Sequence, residues 1–229
     1  HKGTAREDRL GPERACAQGW ISPRAMRNGI IVTVLFACLI GSALLFYAGW
    51  ELIIVGLLCV LFAFLYTTGP YPLSYNGWGD VLVIVFFGFV PVGGTYYVQA
   101  LTWTSDTTVA SLICGLLIDT LLVVNNYRDR EADARSGKRT VIVRFGEKFG
   151  RYLYLMLGVA ASLLCFWFFF EGHLFAALLP LLYLIPHVLT WRRMVQIHSG
   201  KKLNSILGET SRNMLLMGIL LSIGFLIRH

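Results

Sequence analysis

Charge is scarce in this sequence. Asp, Glu, Lys and Arg make up 14% of its 229 residues, where a soluble domain carries about a quarter. Within residues 29–51, 81–101 and 107–125 at most an occasional acid interrupts apolar sequence. A water-exposed globular surface is hard to build from such material. Cysteine says little more. Cys38, Cys59, Cys114 and Cys165 sit inside apolar runs, Cys16 stands alone and no CxxC pair occurs, so these read as structural apolar thiols. His173, His187 and His198 have no ligand spacing and read as incidental. No run has the layout of a cleaved signal peptide. None of the folded nucleic-acid-binding patterns is visible, and membrane topology already accounts for the basic loops, so nucleic acid is a poor explanation of the basic balance.

What is present is apolar length. Hydrophobic residues make up 56% of the chain and the mean hydropathy is +0.63. About 20 helical residues cross about 30 Å of hydrocarbon, and lipid admits only helices or closed barrels. Seven spans are expected, at 29–47, 51–68, 81–100, 108–126, 152–170, 173–191 and 213–227. The expected fold is an all-α polytopic transmembrane bundle forming one membrane domain over residues 1–229.

The formal charge of +7 is unevenly placed. Every Lys and Arg except Arg228 lies before the first span, between the fourth and fifth, or between the sixth and seventh. The connections 47–51, 101–107 and 171–173 on the other side carry none. By the positive-inside rule the basic side is cytoplasmic, so the N-terminal end is inside. The connection 67–80 also belongs inside and has no basic residue.

One polar segment stands apart: Asn125-Asn126-Tyr127-Arg128-Asp129-Arg130-Glu131-Ala132-Asp133, then Gly137-Lys138-Arg139-Thr140. If the fourth helix continues through it, Asn126, Asp129 and Asp133 share one face. Two carboxylates a turn apart at a membrane boundary suit a hard cation such as Mg2+, which completes its shell with water and substrate phosphates. Asn126 adds an amide oxygen. Arg128, Lys138, Arg139 and Arg144 stand ready for diphosphate oxygens. The bland alternative is a solvated charged loop, and spacing does not separate the two. Asp119 lies seven residues before Asn126 on the same stripe, inside an apolar run, where ionisable residues usually face a bundle interior. With Asn125 it is a candidate to line a cavity. Asp80 and Asp106, at span ends, read as solvated caps.

At this segment the chain resembles the UbiA-type intramembrane aromatic prenyltransferases. Within that family it is most similar to the branch acting on 1,4-dihydroxy-2-naphthoate in menaquinone synthesis. The similarity also runs through Arg9-Leu10-Gly11-Pro12-Glu13-Arg14 and from Gly77-Trp78-Gly79-Asp80 to Phe86-Phe87-Gly88. The resemblance implies a bundle of nine membrane helices with two Asp-rich motifs facing a central cavity. Asp129 and Asp133 match the second motif. The first motif and two helices would then precede His1. Related families carry a Lys after the Tyr-Pro of the covering loop, whereas Tyr71-Pro72-Leu73-Ser74-Tyr75 has none.

The implied reaction is Mg2+-dependent transfer of a polyprenyl group from its diphosphate to the naphthoate, with loss of the carboxyl group, at a bacterial inner membrane. The implied partners are the prenyl diphosphate, the aromatic acid and the bilayer. Asp129, Asp133 and Asn126 would be catalytic, with the metal on the two acids. Phe86, Phe87, Tyr96 and Tyr97 are expected to pack rather than to shield a cation, and Pro91, Gly93 and Gly94 to permit a kink and close packing. The alternatives are another aromatic acceptor (4-hydroxybenzoate or homogentisate type), a CDP-alcohol phosphatidyltransferase, which needs a DGxxAR segment that is absent, or a transporter, for which no internal repeat is visible.

Overall fold

The computed structural model describes residues 10–227. Among them there is helix and no strand. Seven long helices follow one another: α1 (Pro23–Phe46), α2 (Glu51–Thr67), α3 (Gly79–Ala100), α4 (Ser105–Arg135), α5 (Val141–Phe170), α6 (Leu174–Ile197) and α7 (Leu203–Leu226). All but α2 are long and apolar enough to cross a membrane, and α2 is a shorter apolar helix of 17 residues. The expected all-α bundle and its approximate span count are borne out.

Three helix starts are set by local chemistry. Ser22, Thr104 and Thr140 sit in extended backbone, and their hydroxyls accept the N–H groups of Ala25, Thr107 and Val143. Pro23 at the first helical position loses no hydrogen bond there. α5 and α7 begin well before the apolar runs at 152 and 213. Their early polar residues are paired: Glu147 with Arg151 and Arg130, and Glu209 with Arg193 of α6. In α7 the polar start is continuous helix, whereas α5 is broken at Gly146 (φ 87°, ψ 175°), a backbone conformation that glycine permits.

α4 is the central element. Its 31 residues rise about 46 Å at 1.5 Å each, against about 30 Å of hydrocarbon. The surplus carries Asn125 to Arg135 beyond the apolar run without a break, so the polar segment is helical, as its spacing predicts. Two buried clusters flank α4. One joins Val123, Tyr127, Ile142, Tyr154, Met194, Leu203 and Ile206, and the other joins Ile113, Leu117, Ala161, Phe168, Tyr183 and Met217. α1 and α2 bury no residue.

The crossing of α3 and α4 is a backbone contact. A Cβ on Gly88 would stand 2.5 Å from the Ser111 carbonyl oxygen, and one on Gly115 would stand 2.9 Å from that of Ile84. Only glycine permits that approach, and close approach is what small residues provide where lipid gives no hydrophobic drive between helices. α3 is π-helical over Ile84–Gly93 around Pro91, as a proline in the ladder requires. Gly93 takes the Trp103 ring against its backbone. The expected close packing is present at Gly93, while a Cβ on Gly94 would meet nothing within 4 Å. Phe86 packs on Phe62, their ring centroids 5.2 Å apart.

Candidate active site

The end of α4 meets three other segments: the 73–79 loop before α3, the 136–140 connection into α5, and the first turn of α7. Two backbone-anchored bonds bring the loop to the connection. The Arg139 N–H donates to the Tyr75 carbonyl at 2.8 Å, and Arg144 Nη2 donates to the Asn76 carbonyl at 2.8 Å. The loop lacks a Lys of its own; Arg144 reaches it from the first turns of α5, and Lys138 of the connection lines a cavity together with its Ser74 and Gly77.

Each acid of the motif has a basic partner. Asp129 accepts from Arg128 Nε at 2.7 Å and from its Nη2 at 2.6 Å, a bidentate pair. Asp133 accepts from Lys138 Nζ at 3.0 Å. Asp133 is within electrostatic reach of Asp129 as well as of Lys138 and Arg128, so α4 sets both acids on one face. The donor set is wholly of oxygen, with Asn126 buried one turn before Asp129. That chemistry fits a divalent cation whose shell is completed by water and phosphate. Among the described residues no group of three or more His, Cys, Asp or Glu gathers, so two carboxylates are the local complement.

Arg128, expected on a diphosphate, is engaged within the protein. Its side chain is 3% exposed. Besides Asp129 it donates to Asn125 Oδ1 at 2.6 Å and to Asn204 Oδ1 at 2.8 Å. Asn125 thus holds the guanidinium. Arg139 and Arg144 are exposed, and Lys138 is half-buried.

A small cavity opens beside the motif, lined by Tyr66, Ser74, Gly79, Asp80, Asn126 and Lys138 among others. Here the solvated-cap reading of Asp80 is corrected. Its Oδ1 is buried and has no hydrogen-bond partner, and the same is true of Asp119 Oδ1. The Gly88–Gly115 crossing explains this. Asp80 lies two turns before Gly88 and Asp119 one turn after Gly115, so the close approach draws two carboxyls into each other's field. Tyr66 is within electrostatic reach of Asp80, Asp119 and Asp133. The sequence signal that could have found Asp80 is its place at the start of an apolar helix that must be covered. Asp106 lies in the first turn of α4, which Thr104 caps, and its carboxylate accepts from Trp167 Nε1 at 2.7 Å.

His187 is also more than incidental. It is fully buried, bonded to the Tyr183 hydroxyl at 2.9 Å and to the Leu155 carbonyl at 3.2 Å. His198 reaches Glu147 at 3.1 Å.

The model of one known family, described as the UbiA prenyltransferase family, matches residues 5–222. The chain belongs to the UbiA prenyltransferase family. It is an integral membrane protein, in keeping with its apolar helices. A 1,4-dihydroxy-2-naphthoate octaprenyltransferase of Haemophilus influenzae is 37% identical over 99% of this chain and 76% of its own length. Proteins of the same description from Escherichia coli and Mycobacterium tuberculosis are each 38% identical. They align with 72% and 70% of this chain, which spans 55% of either relative. No solved structure matches the chain.

Proposed function

We propose that the protein transfers a polyprenyl group from its diphosphate to 1,4-dihydroxy-2-naphthoate, with loss of the carboxyl group, giving the demethylmenaquinone skeleton. The observation that carries this reading is the pairing of Asp129 and Asp133 with cations at the mouth of the bundle. It stands in a chain that is 37% identical to a naphthoate octaprenyltransferase.

In this reading Asp129 and Asp133 would hold Mg2+, which would supply charge to offset that of the diphosphate. The chain's own cations do the rest of the anchoring. Arg139 and Arg144 are exposed beside the site and take terminal phosphate oxygens. Lys138, on a flexible stem, exchanges part of its contact with Asp133 for the leaving group. Arg128 acts through Asp129, because its donors already have partners. The allylic C–O bond breaks with its electron pair on the diphosphate, so the fixed cations stabilise charge where it develops. The ring carbon bearing the carboxyl bonds to the allylic carbon, and carbon dioxide departs as the ring regains aromaticity. Asn126 lines the neighbouring cavity, which would receive the reacting ends.

The uneven basic residues support a cytoplasmic position for this end of the bundle. The bacterial relatives support an inner-membrane setting.

The test is transfer of a radiolabelled prenyl diphosphate to the naphthoate, in membranes from cells expressing the full-length protein, with and without Mg2+. Asp129→Asn and Asp133→Asn are each expected to lower the rate by about 10²-fold or more. Transfer only to 4-hydroxybenzoate or homogentisate would keep the chemistry and overturn the acceptor. Transfer to no aromatic acid would overturn the reading.

A further inference from the structure

Asn204 stands 76 residues beyond Arg128 in sequence, in the first turn of α7, yet its amide is used at both ends. Oδ1 accepts from Arg128 Nη1 at 2.8 Å, and Nδ2 donates to the Leu10 carbonyl at 3.0 Å. Only one orientation of the amide satisfies both bonds. Neighbouring Leu203 is fully buried among Val123, Tyr127 and Ile206, which fixes the turn from which Asn204 projects. Asn204 itself is exposed, so it fills no core space. On the other side lies the N-terminal strap. A Cβ on Gly11 would come within 2.9 Å of Arg128 Nη2. The guanidinium is thus held between strap, Asn125 and Asn204, and its remaining edge faces both oxygens of Asp129.

A carboxylate gripped in this bidentate way has one orientation, and its outward lone pairs point in a fixed direction. Free of that grip, Asp129, a quarter exposed, would turn as a surface side chain does. Partners of this kind behind a ligand govern metal affinity.

We propose that Asn204 is a positioning residue for the reaction, which locks Arg128 against the Leu10–Gly11 strap and thereby fixes the Asp129 carboxylate towards its metal. The inference rests on the reading of Asp129 as a metal ligand.

The full-length protein in nanodiscs would be titrated with Mn2+ and followed by electron paramagnetic resonance, with thermal unfolding and the KM of both substrates measured in parallel. Asn204→Ala is expected to weaken Mn2+ binding about tenfold, while the unfolding temperature and the naphthoate KM stay unchanged. Gly11→Val perturbs the guanidinium from the strap side and should reproduce the loss. Wild-type Mn2+ affinity in Asn204→Ala, beside a clear loss in Asp129→Asn, would overturn this inference and leave the metal reading intact. Wild-type affinity in Asp129→Asn would overturn both. A fall in unfolding temperature with equal loss for both substrates would make Asn204 merely structural, which also overturns the inference.

Discussion

Gly88→Ala adds one methyl group where the structure has no room for it. The new Cβ would lie 2.5 Å from the Ser111 carbonyl oxygen, 2.8 Å from Gly115 Cα and 2.9 Å from Gly115 N. All three are backbone atoms and none can rotate away. Restoring ordinary contact means parting α3 and α4 by about 1 Å at the crossing. Two consequences follow. Overpacking of this kind costs about 1–3 kcal/mol of stability. The same displacement moves Asp80 and Asp119 apart and shifts the cavity against Asn126, and a misplacement of about 1 Å costs about 10²-fold in rate. Gly115→Ala meets Ile84 at 2.9–3.0 Å and should be milder. Gly41 in α1 has nothing within 4 Å, so Gly41→Ala is the control. Prenyl transfer and thermal unfolding in nanodiscs would be measured for all three. If Gly88→Ala matches Gly41→Ala in both, the crossing does not position the site and the reasoning fails.

Two further outcomes are expected. Asp119→Leu removes a buried carboxyl oxygen that has no partner, so thermal stability should hold or rise. The transfer rate should fall if that carboxyl serves the cavity, and unchanged activity would reduce it to a structural residue. His187→Leu leaves the buried Tyr183 hydroxyl without its imidazole partner and removes the bond from the ring to the Leu155 carbonyl. A loss of about 1–3 kcal/mol by thermal unfolding is expected, with the KM for either substrate unaltered.

Much of the fold could be read from composition and period, because both act locally. The apolar runs mark the helices. The helical spacing of Asn126, Asp129 and Asp133 holds because nothing interrupts α4 before Arg135. Helix beginnings were less legible at α5 and α7, whose polar first turns lie before the apolar runs and, in α5, before a break at Gly146. Residue type marked Asp129 and Asp133 as candidates, but it did not separate the exposed Arg139 and Arg144 from Arg128, which is buried with its donors engaged.

By itself, then, the sequence determined that this is a helical membrane protein, where its charge gathers, and which acids share a helix face. All of these depend on neighbours within a few turns of one chain segment. Tertiary structure alone decided that Arg128 is gripped by Asn204 and that Asp80 is buried near Asp119. It also decided that Arg144, from the first turns of α5, reaches the Asn76 carbonyl of the 73–79 loop. Those facts depend on how closely two helices approach, and that is set by which residues, here Gly88 and Gly115, happen to meet across the bundle.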